Sequence, residues 1–544
     1  MTSHLVPPHG DRLLDLMASP ARVAELSARA KEMISWSLTP PQLADVELLL
    51  SGAFSPLRGF MGRAEAEAVR TRMRLADGSF WPAPVTLEVS EDTAKGLAAG
   101  RPLALRDGEG VLRAVLNVEE VRRTEDPAMP AGTVSIAGLI EGVEPPHHYD
   151  FVERRATPRE LRQRFAGRGW RRVLAFHTGE VMHRAEQEMT LAAARELEAS
   201  LLVQLGVATA SWWDPGHYSR IRCLEALMKA YPPGTAQLNL LPLGRREPAG
   251  RDLLLNAVVA QNCGCSHFLV RGSSGVTDDE LRAASSGLRI ELVRVPERAW
   301  SPEKGAFVAA DQGAEAKAAK TLSAAELAER LAWGREIPSW FSFPEVLQEL
   351  RRSTPPRARR GFTVFFTGLP SSGKSTLANV LMVKLMEVGD RPVTLLDGDI
   401  VRKHLSSELG FSREHRNLNI ARIGYVASEI TKNGGIALCA PIAPYDAVRK
   451  QVRAMIEPYG GFLLVHVATP IAVCETRDRK GLYAKARAGI VKEFTGVSDP
   501  YEEPRDAGLS IDTAERSPEE CVQAILLHLE KEGYLGPAGR ELSA

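Results

Sequence analysis

The sequence predicts a multidomain α/β protein. It reads as a β-rich N-terminal domain, a central α/β domain with a parallel sheet, and a C-terminal α/β domain built on a phosphate-binding loop. Three observations predict this. The chain has 544 residues, room for three or four domains at about 150 residues each. Short β-like runs between turns fill its first part and give way to alternating strand and helix patterns. One motif, GxxxxGK[ST], stands complete at 368–375, after an apolar strand and before a helix-compatible run.

From the N-terminus to Tyr149, runs such as Pro82–Val89 and Gly110–Val118 predict strands. Over 150–344, Val173–Phe176 and His267–Val270 read as buried strands and Ala185–Gln204 as one long helix. RRSTPPRARRG (351–361) has two prolines and five arginines and cannot build a core, so 345–361 is expected to be a linker. Over 362–544 the strands Phe362–Phe366, Val393–Leu396, Ile436–Cys439 and Phe462–Val467 alternate with helical stretches.

Composition excludes several classes. Lys plus Arg number 68 and Asp plus Glu number 68, so the formal charge is zero. No whole-molecule field draws the chain to nucleic acid or an anionic membrane, and neither is expected as a partner. Six cysteines are scattered without paired CxxC knuckles, which fits a reducing cytoplasm and gives no zinc site. Met1–Arg12 has no apolar run and no window reaches 18 uncharged apolar residues, so neither a signal peptide nor a membrane span is expected.

The motif carries the chemistry. In Gly368-Leu369-Pro370-Ser371-Ser372-Gly373-Lys374-Ser375-Thr376 the glycines let backbone N–H groups turn in around a phosphate. Lys374 is expected to reach the β- and γ-phosphates of ATP and Ser375 to ligate Mg²⁺. Asp397 and Asp399 follow where a buried strand ends. That position suits a carboxylate that helps hold Mg²⁺ or takes a proton from a substrate hydroxyl, and the two roles are not separable by sequence. Arg402, Phe411, Arg416, Asn419 and Arg422 follow within about twenty residues, a set suited to an anionic acceptor with an aromatic ring. Arg477, Arg479, Lys480, Lys485 and Arg487 surround Gly481-Leu482-Tyr483, as a basic lid over phosphates would. The plainer reading of that stretch is a solvated helix.

The run from Phe365 to Thr513 resembles adenylylsulfate (APS) kinase. The resemblance rests on GLPSSGKST (368–376), LDGDIVR (396–402), GFSREHRNLNIARIG (410–424), PIAPYDAVR (441–449), RDRKGLYAKARAG (477–489) and KEFTGVSDPYEEP (492–504). It implies a P-loop kinase fold and transfer of the γ-phosphoryl of MgATP to the 3′-hydroxyl of APS, giving PAPS. By matched positions it implies that Asp399, Arg402, Phe411, Arg416, Asn419, Ile442, Ala443, Lys480 and Phe494 contact APS. It puts Lys374, Asp397 and Asp399 at the chemistry, and Gly368–Thr376, Arg477 and Thr513 at ATP. Many relatives have Ser at the position of Ala443, so a phosphoserine there is excluded; direct in-line transfer does not need it.

The first two domains resemble ATP sulfurylase over roughly Leu5–Pro344, through LVPPHG (5–10), GAFSPLRGFMG (52–62), PVTLEVSEDTAKGL (84–97), LNLLPLGRREPAG (238–250) and NCGCSHFLV (262–270). The resemblance implies a PUA-like first domain and a nucleotidylyltransferase-like, Rossmann-like second one, and homo-oligomers are usual in both families. The family's site reads Q-T-R-N-P-x-H-x-x-H; here it is His177, Thr178, Gly179, Glu180, Val181, Met182, His183, Arg184, Ala185, Glu186. A later G-R-D-H-A-G stretch is Arg271-Gly272-Ser273-Ser274-Gly275, without its Asp-His pair. One cation is lost and two carboxylates are gained, roughly three charge units in an anion site. Losing the arginine's charge-assisted hydrogen bond alone would cost about 1.5–3 kcal/mol, roughly 10- to 100-fold. Arg184 and Arg271 do not occupy matched positions, and His183 reads as a structural histidine.

The expectation is an APS kinase on a silent sulfurylase-like region kept as scaffold, oligomerisation surface or regulatory module. Its rivals are a bifunctional PAPS synthase and a non-catalytic nucleotide-binding scaffold. The intact Lys374, Ser375, Asp397 and Asp399 speak against the last.

Overall fold

In the computed structural model the chain forms two compact units, Met1–Ser323 with Ile337–Ser353, and Ala324–Glu336 with Thr354–Ala544. The structure describes residues 5–536 apart from 125–129, 131, 208–214, 245–248, 311–318 and 390. Met1–His4 and residues 245–248 of the LNLLPLGRREPAG stretch lie outside the described residues. Among the described residues no helix is long and apolar enough to cross a membrane, and all six cysteines are free and buried.

The first unit holds two large sheets. One contains β1 (Ile34–Ser37), β2 (Gly59–Phe60), β3 (Leu87–Ser90), β4 (Pro102–Arg106), β5 (Leu112–Arg123) and β6 (Thr133–Gly142). Its order is β1-β4-β5-β6-β2, with β3 also on β6, and only the β1–β4 pair is parallel. The run Pro82–Val89 becomes a strand only from Leu87, although Pro82–Val85 are buried. Pro82 and Pro84 lack the N–H groups a ladder needs.

The second sheet has β7 (Val173–Thr178), β8 (Ser200–Gly206), β9 (Ala236–Leu241), β10 (His267–Arg271) and β11 (Glu291–Val295), parallel throughout in the order β11-β10-β7-β8-β9. The long helix expected over 185–204 is corrected. The helix is Arg184–Glu196, the chain turns through Glu198 at φ 48°, and β8 follows. Leu201–Leu205 are buried on both faces of their sheet. Such a run has no alternation that would separate it from a buried helix. A hairpin of β12 (Arg298–Ser301) and β13 (Ala306–Ala309) completes the unit.

The expected linker is also corrected. Pro344–Ser353 is a helix of the first unit. Val346 is fully buried, Arg222 pairs with Glu349 at 2.8 Å, and Ser219 bonds Ser353 at 2.6 Å. Val346, Leu347 and Leu350 give it an apolar stripe that the arginine-rich end conceals. Beyond it, Arg357 donates to the Glu532 carbonyl at 3.0 Å and Arg360 to that of Pro355 at 2.6 Å, so this stretch is fastened rather than a free hinge. The second unit also takes in the helix Ala324–Ala332. Just after it, Trp333 lies under the Arg357 guanidinium at 5.4 Å and against Gly533, where an added Cβ would come within 2.7 Å of the indole.

The second unit's sheet is β14 (Phe362–Gly368), β15 (Val393–Asp397), β16 (Ile436–Ala440), β17 (Gly461–Val467) and β18 (Leu509–Ile511), parallel in the order β15-β16-β14-β17-β18. β14 is the central strand and all seven of its residues are buried. Parallel strands bring their C-terminal ends to one edge. The phosphate-binding loop, Asp397, Pro441–Ala443, Thr469 and Thr513 therefore gather there.

Candidate active site

The loop turns sharply out of β14. Gly368 has φ +155°, and an added Cβ would sit 2.6 Å from the Val467 carbonyl. Gly373, at φ +106°, caps the helix Lys374–Val388. The loop is braced from behind. The hydroxyls of Thr469 and Thr513 each lie 3.0 Å from the Ser372 carbonyl and 2.8 Å from one another. Arg477 donates to the Thr513 hydroxyl (2.7 Å) and carbonyl (2.8 Å). Tyr483 donates to the Pro370 carbonyl at 3.0 Å. Lys374 is buried and its Nζ donates to the carbonyls of Gly368 (3.0 Å) and Leu369 (2.7 Å). Burial depresses its pKa to about 8, against the pull of nearby Asp397.

The two aspartates have different partners. Asp397 ends β15; its Oδ2 accepts from the Ser375 hydroxyl at 2.7 Å and its Oδ1 from the Asp399 N–H at 3.0 Å. Asp399 faces the basic stretch, where Lys480 Nζ lies 2.7 Å from its Oδ2. That bond raises the Lys480 pKa. The basic stretch is built from the helices Ile471–Thr476 and Leu482–Arg487. Cys474, Tyr483, Ala486 and Phe494 form a small buried cluster beneath it. The Tyr483 and Phe494 rings meet edge-on at 5.0 Å.

The expected acceptor residues divide by their neighbours. Arg402 donates to the carbonyls of Leu409 and Gly410, both at 2.9 Å, and lies 4.6 Å over the Phe411 ring, which is 69% exposed. Arg416 is largely committed to the protein. It bonds Thr495 (3.0 Å), the Asp499 carboxylate (2.8 Å) and the carbonyls of Phe411 and Glu493. Arg422 pairs with Glu408 at 2.6 Å. Asn419 is buried with Oδ1 unpartnered. The Ile442 carbonyl accepts from Thr367 at 2.8 Å. Ala443 is buried at φ 45°, and its carbonyl accepts from Arg449 at 2.8 Å.

In the first unit the stretch His177–Glu186 begins at the end of β7. His177 is partly exposed, its Nδ1 is buried without a partner, and burial beside Arg271 lowers its pKa to about 4. Gly179 and Glu180 are exposed. Glu186 caps the helix Arg184–Glu196 by accepting from the His183 N–H at 3.0 Å. His183 Nδ1 meets the Ser342 hydroxyl at 2.9 Å, and its ring packs on Phe341 at 4.3 Å. Arg184 is used locally, donating to the Ser342 carbonyl and lying 4.1 Å over Phe343. Both His183 and Glu186 thus have structural partners.

Comparison with known proteins agrees with this architecture. The family models of a PUA-like domain, ATP-sulfurylase and adenylylsulphate kinase match residues 6–131, 152–353 and 360–512. Sulfate adenylyltransferase of Phaeosphaeria nodorum is 42% identical over 97% of this chain and 99% of its own length. The chain belongs to the ATP sulfurylase/APS kinase family. Sulfate adenylyltransferase of Neurospora crassa is 41% identical over the same shares. A solved structure described as a hexameric APS kinase from Thiobacillus denitrificans is 44% identical, covers 98% of this chain and 100% of its own, and superposes with a TM-score of 0.86. The ATP-sulfurylase match ends at 353, where the first unit ends.

Within the APS kinase part, the sequence reading missed Thr469, Tyr483 and Asp499. Tyr483 sits inside RDRKGLYAKARAG, where the cations drew the reading, although one aromatic among small residues is itself a burial signal. Asp499 accepts from both Arg416 and the Tyr445 hydroxyl at 2.8 Å. Its partner Arg416 lies 83 residues away, and no local pattern announces such a pair.

Proposed function

We propose that this chain is an adenylylsulfate kinase that transfers the γ-phosphoryl of ATP to the 3′-hydroxyl of APS, and that its sulfurylase-like region no longer makes APS. One observation carries the kinase reading: the Ser375 hydroxyl and Asp397 carboxylate meet at 2.7 Å at the mouth of the braced loop, while Asp399 faces Lys480. Two hard oxygen donors fit Mg²⁺, which keeps waters and takes phosphate oxygens for the rest of its shell. When bound there, Mg²⁺ supplies charge neutralisation at the β- and γ-phosphates.

The residues do the following in this reading. Loop N–H groups and Lys374 hold the phosphates, with Lys374 exchanging its carbonyl partners for phosphate oxygens. Asp397 stays with Ser375 at the metal. Asp399, released from Lys480, orients the 3′-hydroxyl and accepts its proton as the oxygen attacks in line. Lys480 then faces the transferring charge. Arg402, Phe411, Asn419, Ile442, Ala443 and Phe494 line the acceptor side. Arg416 supports that side through its bonds to 493–499, and Arg477 and Thr513 support the ATP loop from behind.

Loss of sulfurylation is supported by Gly179 in place of the family's arginine, and by the capping and packing partners of Glu186 and His183. A bifunctional synthase is the second reading, favoured by the name sulfate adenylyltransferase borne by relatives 40–42% identical to the chain. A homo-oligomer follows by analogy with the relative described as hexameric, and the cytoplasm from the reduced cysteines.

The test follows PAPS formation from ATP, Mg²⁺ and pyrophosphatase, once with APS and once with sulfate. Product from APS alone supports the proposal; product from both supports the bifunctional reading. Lys374→Ala should lower the rate with APS by about 10²–10³-fold while leaving the circular dichroism unchanged. Full activity in that variant refutes the kinase site.

A further inference from the structure

A cavity lies in the first unit, lined by no residue of either site motif. Its volume is about 400 Å³, within the range of small-molecule sites. It is lined by Pro8–Asp11, Arg74, Gly78–Phe80, Gln261, Ser286, Gly287 and Arg289.

The lining is arranged around two guanidinium groups. Arg74 donates to the Ser286 hydroxyl at 3.2 Å and the Ala283 carbonyl at 3.4 Å, and lies 5.5 Å from the Phe80 ring centre. Among the described residues no carboxylate pairs with it. Gly287 makes this placement possible: a Cβ there would sit 2.4 Å from Phe80 Cβ and 2.5 Å from Arg74 Nη1. Arg289 stands at the rim in a 2.6 Å pair with Asp11, the two side chains being 55% and 72% exposed. So exposed a pair is worth little and yields readily to a better anion.

His9 supplies a different group. It is buried, and its Nε2 lies 2.7 Å from the Phe80 carbonyl. A carbonyl only accepts, so Nε2 carries the hydrogen. Burial lowers the ring's pKa and keeps it neutral. Its Nδ1 is then a bare acceptor with no protein partner among the described residues. Gln261 cannot serve a ligand in the same way, because its Oε1 already accepts from the N–H groups of Arg289 and Ile290.

We propose that this cavity binds a sugar phosphate, its phosphoryl oxygens on Arg74 and Arg289 and a sugar hydroxyl donating to His9 Nδ1. Arg74 has no carboxylate in ion-pair contact among the described residues and Arg289 holds only the exposed Asp11, so both guanidinium groups can turn to a polyanionic oxygen group, against the nearby charge of Asp77. A bare acceptor beside them selects against inorganic sulfate, which has no hydrogen to give. The volume exceeds that of an inorganic anion. Phe80, the aromatic ring in the lining, is fully buried and offers no face on which a nucleobase could stack.

The probe is ribose 5-phosphate, titrated calorimetrically into the full chain and into its Arg74→Gln, Arg289→Gln and Lys374→Ala variants. Inorganic phosphate, sulfate, ribose and AMP are titrated alongside. We expect ribose 5-phosphate to bind at least tenfold more tightly than phosphate, sulfate or ribose. Arg289→Gln and Arg74→Gln should each weaken it tenfold or more, and Lys374→Ala should leave it unchanged. Arg289 is at the rim, so its variant keeps the test decisive if Arg74→Gln melts early. No binding at millimolar probe, binding lost only in Lys374→Ala, AMP bound more tightly in a manner sensitive to Arg289, or sulfate bound as tightly as ribose 5-phosphate would each overturn the proposal.

Discussion

Lys374 shows how a single residue carries both a function and a cost. Its ammonium is held in the fold by two carbonyls and buried, and its pKa falls from 10.5 to about 8. Between those values the unfolded chain binds more protons than the folded one, so stability rises with pH across that window. The cost is present in full below pH 8 and fades as pH approaches 10.5. The effect of Lys374→Met on the stability of the second unit should therefore be more favourable at pH 7 than above pH 10.5, by roughly 3 kcal/mol. Urea unfolding at the two pH values checks it, and an equal effect at both would contradict it. Glu186 makes the converse case. Glu186→Ala removes a helix cap and should destabilise the first unit by about 1 kcal/mol, with PAPS formation from APS unaltered; thermal melts and a rate assay measure the two. Its charge was legible in the sequence, but its job was not. A capping box is recognised by Ser or Thr three residues before the Glu, and here His183 holds that place.

At the scale of elements, the basic stretch is joined to the phosphate loop by Tyr483. The hydroxyl reaches Pro370 and the ring meets Phe494, so the loop and the segment at 494 share one side chain. Removing the hydroxyl forfeits about 1 kcal/mol. Tyr483→Phe should weaken ATP binding several-fold and speed proteolysis within 477–489, and limited digestion with and without ATP reads this directly. Unchanged cleavage would remove the tyrosine from this role. Four of the five strands of the kinase part were legible because each apolar run is short and bounded by Gly, Asp or Pro; the edge strand β18, three residues with an exposed Ser510 at its centre, was not. The extent of the helix at 184 was not, because the helix-compatible run Arg195–Ala199 leads into Leu201–Leu205 with no Gly or Pro to mark the break. The helix at 344 was hidden for a related reason: arginines at its end outweighed three apolar residues at helical spacing.

For the whole molecule, two compact units predict two unfolding transitions. A non-hydrolysable ATP analogue with Mg²⁺ should raise only the transition of the unit containing Lys374, by linkage. Ribose 5-phosphate should raise only the other. Calorimetry of the intact chain distinguishes them, and a single transition moved by both ligands would show that the units unfold together. The order of domains was legible from the sequence, since the motifs of each part follow one another along the chain. The way the chain is shared was not. The membership of 324–336 in the second unit rests on Trp333 meeting Gly533, two hundred residues later, and no local pattern reports such a contact.

That sharing bears on how the protein could have changed over time. The chain enters the second unit at Ala324, leaves it at Ile337 and returns at Thr354. No one breakpoint in the gene frees the kinase with all its parts, because a cut at 354 discards Trp333 and a cut at 324 carries along a helix of the other unit. Under the proposed reading, loss of sulfurylation would leave the loop at Gly179 and Glu180 free to change. The shared chain would still oppose deleting that half, so its presence alone is no evidence for or against residual chemistry there.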